Sequence, residues 1–391
     1  MRVGIIGGGI NGSALAYFLA RDGSVDVELF ERESIGGVST ARSAGIIVHH
    51  YPERTPIRLA QRGYELLAEL DAQPGVDVGL HRNGCLLLAD DSGAEAFRET
   101  VDLQRDVGVD VELLDPSDVD TIVPGADPGD ATLAAIERDA GFADPYLAAT
   151  GFANAAREHG ATVNANTPVT DIVAENGQVT AVETPDGRRE LDYLVNAGGP
   201  YAADVAAMIG VELPLQPTEA KIAVLRSSRP FGPDLPTVVH GGSGLYAKPE
   251  PGGEFIVGGI EERDPDAHRL DDPGSLGGVT NEDLRWVSRK LDRYLPGYAD
   301  AEVIETWSGP ITDAPDKHQL VGIPDGFENF HVIAGGSGHG FKEGAAFAES
   351  IAQSILGSTP DIDLSPYRLT RFEEGEPLTT RAYHDDRFHQ Q

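Results

Sequence analysis

The first 31 residues show three successive hydrophobic patterns. Val3 to Ile6 is a short apolar run typical of a buried strand, and Val25 to Glu31 alternates apolar and polar residues like a second strand. Between them, Ile10 to Arg21 is rich in alanine and leucine, as expected of a helix. The order strand, helix, strand predicts that the chain begins with a βαβ unit.

The remaining patterns predict further helices and a long series of strands. Helices are expected from Thr55-Pro56, with threonine as the N-cap and proline at N1, at about Ala94 to Val107, from Asp144-Pro145 to near Gly160, near Asn281 to Tyr294, and at Phe341 to Leu356. Strands are expected at Ala161 to Ala165, Val169 to Ala174, Val179 to Thr184, Leu191 to Asn196, Leu215 to Leu225, Gly244 to Ala247, Glu254 to Val257 and Phe330 to Ala334. Asn176-Gly177 and Asp186-Gly187 are typical of hairpin turns. Residues 215–257 contain no predicted helix, which favours an antiparallel sheet there.

A glycine-rich turn follows the first strand. Residues Gly7 to Gly12 fit the pattern G-x-G-x-x-G, whose glycines permit a tight turn, close approach of a pyrophosphate, and packing of helix on strand. Glu31 follows Gly12 by 19 residues, close to the roughly 20 expected for an acid that binds a ribose. We therefore predict a dinucleotide site, and an acid at Glu31 would repel the 2′-phosphate of NADP. The candidate residues in the turn are Gly7, Gly9, Ile10, Asn11 and Gly12.

The chain is strongly acidic. Of 391 residues, 64 are Asp or Glu and 30 are Lys or Arg, which gives a formal net charge of −34, and only five of the basic residues are lysines. Such a surface repels nucleic acids and anionic membranes, so neither is expected as a partner. Self-repulsion on this scale is tolerable where salt screens it strongly, which predicts a halophilic protein; an acidic protein from an ordinary cell is the alternative.

Cysteine content and hydropathy restrict the remaining classes of protein. Cys85 is the single cysteine, so an intramolecular disulfide and a cysteine-based metal site are excluded, and no metal is predicted. No run approaches 18 continuous apolar residues, and no signal-peptide pattern precedes the first strand. The protein is therefore expected to be cytoplasmic, without a transmembrane segment.

Six segments, taken in their order and spacing, resemble a known family. They are Gly7 to Gly12 with Glu31, Gly36 to Ile46, Gly141 to Pro145, Val195 to Pro200, Trp307 to Asp316, and Gly338 to Lys342. Together they resemble the glycine/D-amino-acid oxidase (DAO) family of FAD-dependent proteins over nearly the whole chain, closest to its sarcosine oxidase and dimethylglycine dehydrogenase branch. The resemblance implies an α/β plus α+β fold: a discontinuous, GR2-like Rossmann-type FAD-binding domain (1–75, 140–212 and 325–391) and a substrate domain on a mainly antiparallel sheet (76–139 and 213–324).

The resemblance also implies which residues contact FAD. Residues 39–45 would wrap the pyrophosphate and the flavin edge, and Ala197 and Gly198 would lie beside the adenine. The turn at Gly338 to Lys342 would face the flavin edge that becomes negative on reduction. Beyond the first glycine turn, the implied contacts are Glu31, Arg32, Ser39, Thr40, Arg42, Ser43, Ala44, Gly45, Val169, Ala197, Gly198, Gly309, Gly338, His339, Gly340, Phe341 and Lys342.

Two positions at which family members attach the flavin covalently hold other residues in this chain. Arg42 stands where the sarcosine dehydrogenase branch has a tethering histidine, and Gly309 stands where monomeric sarcosine oxidases have a cysteine. The resemblance therefore implies non-covalent FAD. A covalent link would need His49 or His50 instead.

Four candidate catalytic residues follow from the resemblance. Lys342 would bind the substrate carboxylate as a compact cation, the alternative being a solvent-facing lysine at a helix N-terminus. Tyr246 stands where glycine oxidase-like proteins present a tyrosine and sarcosine oxidases an oxygen-activating lysine, and Lys248 shares its strand face. A barrel-edge aromatic and a solvated lysine are the alternatives for this pair. Val48 replaces the arginine that partners the lysine in sarcosine oxidases, so one carboxylate anchor is either missing or replaced by an imidazole, for which His49 is the candidate. A pair of polar loop histidines without a role in the site is the alternative for His49 and His50.

The implied reaction is oxidation of the C–N bond of a small amino acid or N-methyl amino acid, such as sarcosine, dimethylglycine or glycine. Hydride would pass from the substrate α-carbon to flavin N5, water would hydrolyse the imine, and oxygen or a quinone or other carrier would accept the electrons. An FAD-dependent 2-hydroxy-acid dehydrogenase and the flavin subunit of a heteromeric dehydrogenase complex are the alternatives. The sequence lacks the folate-binding domain of longer relatives, so capture of formaldehyde is expected to need a separate protein.

Overall fold

A computed structural model describes residues 1–260 and 268–379. Its strands are β1 (Arg2–Ile6), β2 (Asp26–Phe30), β3 (Ile46–Ile47), β4 (Cys85–Ala89), β5 (Val111–Leu114), β6 (Leu133–Glu137), β7 (Gly141–Phe142), β8 (Thr162–Asn164), β9 (Asp171–Glu175), β10 (Gln178–Thr184), β11 (Gly187–Glu190), β12 (Tyr193–Asn196), β13 (Gln216–Arg226), β14 (Thr237–His240), β15 (Leu245–Pro249), β16 (Phe255–Gly258), β17 (Glu302–Asp313), β18 (Leu320–Gly322) and β19 (Phe330–Ala334). Its helices are α1 (Ile10–Asp22), α2 (Arg54–Asp71), α3 (Ala94–Asp106), α4 (Val119–Ile122), α5 (Pro145–Glu158), α6 (Ala202–Ala207), α7 (Asn281–Tyr294) and α8 (Gly340–Ile355).

A six-stranded sheet in the order β18, β19, β12, β1, β2, β8 combines both ends of the chain. β1 pairs in parallel with β12 on one side and with β2 on the other. β19 pairs in parallel with β12, and β18 forms an antiparallel edge. Because the carboxyl ends of parallel strands meet at one edge of a sheet, the turns that follow β1 and β19 lie at the same edge.

Four helices cover one face of this sheet. Leu15 of α1, Phe152 of α5 and Phe347 of α8 belong to one buried cluster, together with apolar residues of α2. A Cβ atom built on Gly63 of α2 would lie 1.9 Å from the carbonyl oxygen of Lys342. Helix α2 therefore meets the first turn of α8 backbone to backbone, which only glycine permits at this position.

The second large sheet has eight strands in the order β17, β13, β16, β15, β14, β4, β6, β5. Its pairs are antiparallel except β14 and β4, which run in parallel. Trp286 and Leu291 of α7 pack into the core of this sheet. The helix begins at Asn281 because Thr280 and Asp283 cap each other's backbone amides in a capping box.

The structure confirms the predicted fold class, and the elements at Asn281 to Tyr294 and Phe330 to Ala334 have their predicted bounds. The predicted start of the second helix was wrong. Helix α2 begins at Arg54 after Glu53, whose backbone is extended, so Thr55 and Pro56 lie inside the first turn. Proline is tolerated there because first-turn amides need no partner within the helix.

The predicted domain boundaries stay a prediction. β18 falls within the range 213–324 assigned to the substrate domain, although its hydrogen bonds belong to the six-stranded sheet. Within the described ranges, every helix is too short or too polar to cross a membrane.

Candidate cofactor and substrate site

The turn after β1 leaves no room for side chains at two of its glycines. Gly7 has a φ of +107°, and a Cβ atom added to it would lie 2.2 Å from the carbonyl oxygen of Ala197. A Cβ atom on Gly12 would lie 1.9 Å from the carbonyl oxygen of Gly7. The backbone of β1, the turn and β12 is therefore packed as closely as a dinucleotide cradle requires, and these residues fit a pyrophosphate at the start of α1.

Glu31 is fixed at the end of β2 and pointed at this turn. Its side chain is buried, and its two carboxylate oxygens accept hydrogen bonds from the backbone amides of Gly8 and Glu33, each at 2.8 Å. A carboxylate held in this way is pre-organised to accept ribose hydroxyls beside the turn. The neighbouring Arg32 stacks its guanidinium over the Tyr201 ring, 4.2 Å from the centroid.

Residues 36–45 form a loop that joins the first turn to β17. Thr40 Oγ1 accepts a hydrogen bond from the Ile10 amide at 3.2 Å, and Ser39 Oγ donates one to the Pro310 carbonyl at 2.6 Å. Gly45 has a φ of +71°, and a Cβ atom there would lie 2.1 Å from the Ala143 carbonyl oxygen. Ser43 and Ala44 lie between these fixed points, so the loop is held at both ends.

The two positions that the resemblance associates with covalent flavin attachment lie next to each other. A Cβ atom added to Gly309 would lie 2.5 Å from Cβ of Arg42. The Arg42 guanidinium donates to the carbonyls of Gly37 and Val38, both at 2.9 Å, and the Trp307 indole donates to the Arg42 carbonyl at 3.1 Å. The Arg42 side chain therefore occupies the space at Gly309 and is itself tied to the backbone.

Ala197, Gly198 and Val169, which were predicted to contact the cofactor, lie beside the ends of β1, β12 and β9. The Ala197 amide donates to the Ile6 carbonyl at 2.8 Å, which extends the pairing of β1 and β12 by one residue. The Asn196 side chain accepts from the Gly198 amide at 3.1 Å and so fixes the bend after β12. Val169, just before β9, packs against the cluster that contains Phe30 and Ile6.

The second glycine turn, between β19 and α8, lies against the first. A Cβ atom on Gly344 would lie 2.4 Å from Asn11 Oδ1, and Asn11 Nδ2 donates to Gln319 Oε1 at 3.1 Å. Ser337 and Gly338 both have positive φ values, of 44° and 79°, which turns the chain sharply into Gly340. The structure thus brings the predicted turn at residues 7–12 against the start of α8, which begins within the turn predicted at residues 338–342.

Lys342 is a buried cation at the start of α8. Its side chain is 7% exposed, which rules out the solvent-facing alternative, and Nζ lies 4.6 Å from the centroid of the Tyr51 ring. The Tyr51 hydroxyl donates to Glu343 and lies 3.0 Å from Nδ1 of His339, so His339 donates the second hydrogen bond to that hydroxyl. Phe341 is buried in the hydrophobic cluster that contains Leu15 and Phe347. Two residues of the G-H-G-F-K motif, His339 and Lys342, thus contact the Tyr51 side chain.

His49 is held by a partner that the sequence did not predict. Both His49 and Glu137, at the end of β6, are buried, and His49 Nδ1 lies 2.6 Å from Glu137 Oε1. The His49 amide donates to the same oxygen at 3.0 Å, and Gln104 Nε2 donates to the other at 2.8 Å. Burial alone would raise the pKa of Glu137, but the charge and hydrogen bonds of His49 lower it below its ordinary value. The carboxyl group is therefore ionised.

Lys248 is buried, which contradicts the solvated alternative. Its Nζ lies 2.6 Å from Glu250 Oε1 and 4.5 Å from the centroid of the Phe142 ring. Burial lowers the pKa of Lys248, and Glu250 opposes that shift. Tyr246, on the same strand face, lies across Gly258 of β16, where an added Cβ atom would be 2.0 Å from the hydroxyl oxygen. The roles of Tyr246 and Lys248 stay predictions.

Comparisons with known proteins agree with this geometry. The family described as DAO, FAD dependent oxidoreductase, matches residues 2–354. Human mitochondrial dimethylglycine dehydrogenase is 27% identical over 96% of this chain and 45% of its own length. Sarcosine oxidase subunit beta from Arthrobacter sp. is 28% identical over 95% of this chain and 91% of its own. The chain thus spans less than half the length of the dimethylglycine dehydrogenases that it matches.

Solved structures share the architecture. The L-proline dehydrogenase of P. horikoshii is 28% identical, covers 96% of this chain and 99% of its own, and has a TM-score of 0.88. The glycine oxidase of Geobacillus kaustophilus, at 23% identity, covers 95% of this chain and 99% of its own with a TM-score of 0.82 and shares the fold. Together with the family match, these findings confirm the resemblance predicted from the six segments. The chain belongs to the DAO family of FAD-dependent oxidoreductases, and FAD is its cofactor.

Proposed function

We propose that this protein oxidises the C–N bond of a small amino acid or N-methyl amino acid, of the sarcosine, dimethylglycine or glycine type. The observation that carries the proposal is Lys342, a buried cation at the turn where the two ends of the chain meet. The ammonium group of a lysine is a compact cation suited to binding a substrate carboxylate. Bound FAD would accept a hydride from the α-carbon of the substrate so held. The names of the similar proteins support an amino-acid substrate.

The experiment that tests this proposal is anaerobic reduction of the bound flavin, followed by its visible absorption. Sarcosine, dimethylglycine, glycine, proline, D-alanine and 2-hydroxyglutarate are added singly to the holoprotein, and acetate serves as a carboxylate that cannot be oxidised. Bleaching by one of the amino acids is expected. Bleaching by the hydroxy acid alone would show that the substrate class is wrong. Admitting air afterwards distinguishes oxygen from a quinone or other carrier as the electron acceptor.

A heteromeric assembly is the second candidate. One similar protein, which this chain matches over 91% of its length, is named as a subunit, sarcosine oxidase subunit beta. We propose, as this second candidate, that the chain is the flavin subunit of a heteromeric dehydrogenase complex. Copurification of partner proteins from its own cells would support this. Turnover by the purified chain alone, with an artificial acceptor, would argue against a required partner.

Non-covalent binding of FAD is a further part of the proposal. Arg42 fills the space beside Gly309, and neither residue can form a bond to the flavin. Precipitation of the holoprotein with acid is therefore expected to leave all the FAD in the supernatant and a colourless pellet. Yellow protein after this treatment, or a fluorescent band on a denaturing gel, would instead indicate a covalent link, for which His49 and His50 are the candidates.

We also propose that the protein works in a salt-rich cytoplasm. With a net charge of −34, mutual repulsion among surface carboxylates opposes folding unless ions screen it. The melting temperature is therefore expected to rise when KCl is increased from 0.1 M to 3 M. Sucrose, which stabilises folded proteins without screening charge, is the control and should give a smaller rise. A melting temperature that falls or stays constant in KCl would rule out this adaptation.

A further inference from the structure

The hydrogen bonds around Glu137 determine where protons lie on His49. An ionised carboxylate can only accept hydrogen bonds, and Glu137 receives them from the His49 amide, from His49 Nδ1 and from Gln104 Nε2. His49 Nδ1 must therefore carry a proton in both the neutral and the charged imidazole. Nε2 is left as the one nitrogen of this ring at which a proton can be gained and lost.

Hydrogen bonds that join Gln104 to Glu137 and to His50 fix this arrangement. Gln104 of α3 directs its amide nitrogen to Glu137 at 2.8 Å and its oxygen to Nδ1 of His50 at 3.0 Å. Because the Gln104 oxygen accepts, His50 Nδ1 is the donor. His49, His50, Gln104 and Glu137 are all buried, so water does not compete for these bonds.

This group borders the place where Lys342 would hold a substrate. Cys85 pairs with Glu137 across β4 and β6, and its thiol pKa is raised by burial and by Glu137 but lowered by Lys342. Both charges therefore lie close to Cys85. Tyr51, two residues after His49, carries Lys342 over its ring. Glu137 thus contacts His49 and lies near His50 and Cys85, and Cys85 lies near Lys342.

We propose that His49 is the base that accepts the proton of the substrate ammonium group, and that Glu137 is the residue that positions it. This deepens the proposed function and rests on it. One proton moves from the substrate nitrogen to His49 Nε2, the Nδ1 proton stays on its hydrogen bond to Glu137, and the neutral amine so formed keeps its lone pair for the oxidation.

The charges favour this role over binding of the substrate carboxylate. Lys342 already supplies a cation for the substrate carboxylate. A protonated His49 would form an ion pair with Glu137, and this pair would have no net charge with which to bind a second carboxylate. An imidazole backed by a carboxylate is, in contrast, a good proton acceptor, because the carboxylate stabilises the imidazolium that forms. General bases of this kind contribute about 10²–10⁴-fold to a rate.

The test compares the pH dependence of flavin reduction in wild-type, His49→Gln and Glu137→Gln holoproteins. At pH 7, H49Q is expected to be reduced about 100-fold more slowly at limiting substrate. Its rate should rise with pH until the free amine predominates in solution. E137Q is expected to shift the pKa seen in the wild-type profile. His240→Gln is the control, since His240 is buried beside a carboxylate elsewhere, 3.3 Å from Asp130, and its profile should match wild type.

Binding of acetate separates the two roles of His49. Acetate has a carboxylate and no amine, so its dissociation constant should be unchanged in H49Q if His49 is a base; tenfold weaker binding would identify a carboxylate ligand and overturn the proposal. An H49Q profile that coincides with wild type would also overturn it. Neither result touches the proposed function, which fails only if no amino acid reduces the wild-type flavin.

A measurement on the wild-type protein covers the case in which H49Q does not fold. Nitrogen-15 NMR of labelled histidines reports the tautomer of each ring. Neutral His49 is expected to carry its proton on Nδ1 and to be protonated at Nε2 as the pH falls. A neutral form with the proton on Nε2 would contradict the proposal, because that nitrogen could then accept nothing from the substrate.

Discussion

Replacing Lys342 by methionine is expected to lower kcat/KM for the amino-acid substrate by about 10²–10³-fold, since removing one partner of a buried charge pair costs about 2–5 kcal/mol. Methionine keeps the length of the side chain and its contact with the Tyr51 ring, so the fold and the bound FAD should persist. The loss should appear mainly in KM if the ammonium only binds the carboxylate. Steady-state kinetics and the dissociation constant of acetate measure it.

The matched control is Lys317→Met. Lys317 is 46% exposed and pairs with Asp313 at 2.9 Å on the surface side of the loop after β17. Lys317 carries the same charge as Lys342 and precedes the second glycine turn in the sequence. Its replacement therefore tests whether the loss of any positive charge in this part of the chain changes the kinetics. K317M should retain wild-type kinetics. If K342M also stays within threefold of wild type, Lys342 does not bind the substrate.

Replacing Asp316 by asparagine is expected to lower the free energy of unfolding by about 3–5 kcal/mol, because it leaves a buried guanidinium without its counter-charge. Arg371 is fully buried and holds Asp316 in a bidentate pair, with nitrogen to oxygen distances of 2.7 and 2.8 Å. Arg371 also donates to the Tyr367 and His318 carbonyls, and Asp316 accepts from the Leu378 amide. The melting temperature measures the loss.

The same ion pair predicts a pH dependence of stability. Burial would raise the pKa of Asp316, but hydrogen bonds from Arg371 and the Leu378 amide outweigh it and lower the pKa below its ordinary value. A group whose pKa is lower in the folded state contributes stability above its unfolded pKa, and the contribution disappears as the pH falls. Wild-type protein should therefore lose this contribution below about pH 4, and D316N should lack it at every pH.

An exposed ion pair supplies the control for this prediction. Arg54 and Asp106 lie 3.0 Å apart with side chains 52% and 67% exposed, so Asp106→Asn removes the same kind of charge from a solvated pair. Such pairs contribute little to stability. A D106N melting temperature as low as that of D316N would show that loss of any acidic charge destabilises this protein. In that case burial of Arg371 is not the cause.

Local patterns predicted the elements whose start and end are encoded nearby. Helix α7 has its predicted bounds, and the capping box of Thr280 and Asp283 that starts it lies within four residues of the sequence. Helix α2 was placed two residues late because Glu53, a weak N-cap residue, precedes it with extended backbone, and a proline is tolerated at its third position as well as at its first. The short strand β18 was not predicted. Its three residues acquire strand structure only by pairing with β19.

The residues of the site could likewise be predicted only where their signal is local in the sequence. Gly7, Gly12 and Glu31 could be predicted because one short segment and one fixed spacing contain the whole signal. Glu137 could not, because 88 residues separate it from His49 and only the arrangement of β6 against the loop after β3 makes them neighbours. The one available signal was a charged residue at the end of the apolar run Leu133 to Ile136, a position where a buried acid needs a partner.

The pairing of β1 with β12 and, beyond it, β19 has a consequence for biosynthesis. Ribosomes deliver the amino-terminal turn first, whereas α8 emerges roughly 300 residues later, on the order of 15–60 s at ordinary elongation rates. A nascent chain therefore cannot close the nucleotide cleft until α8 has emerged from the ribosome, and flavin capture must wait for that step. The supply of FAD in the cell at that moment then decides whether newly made protein matures or remains an apoprotein exposed to proteases.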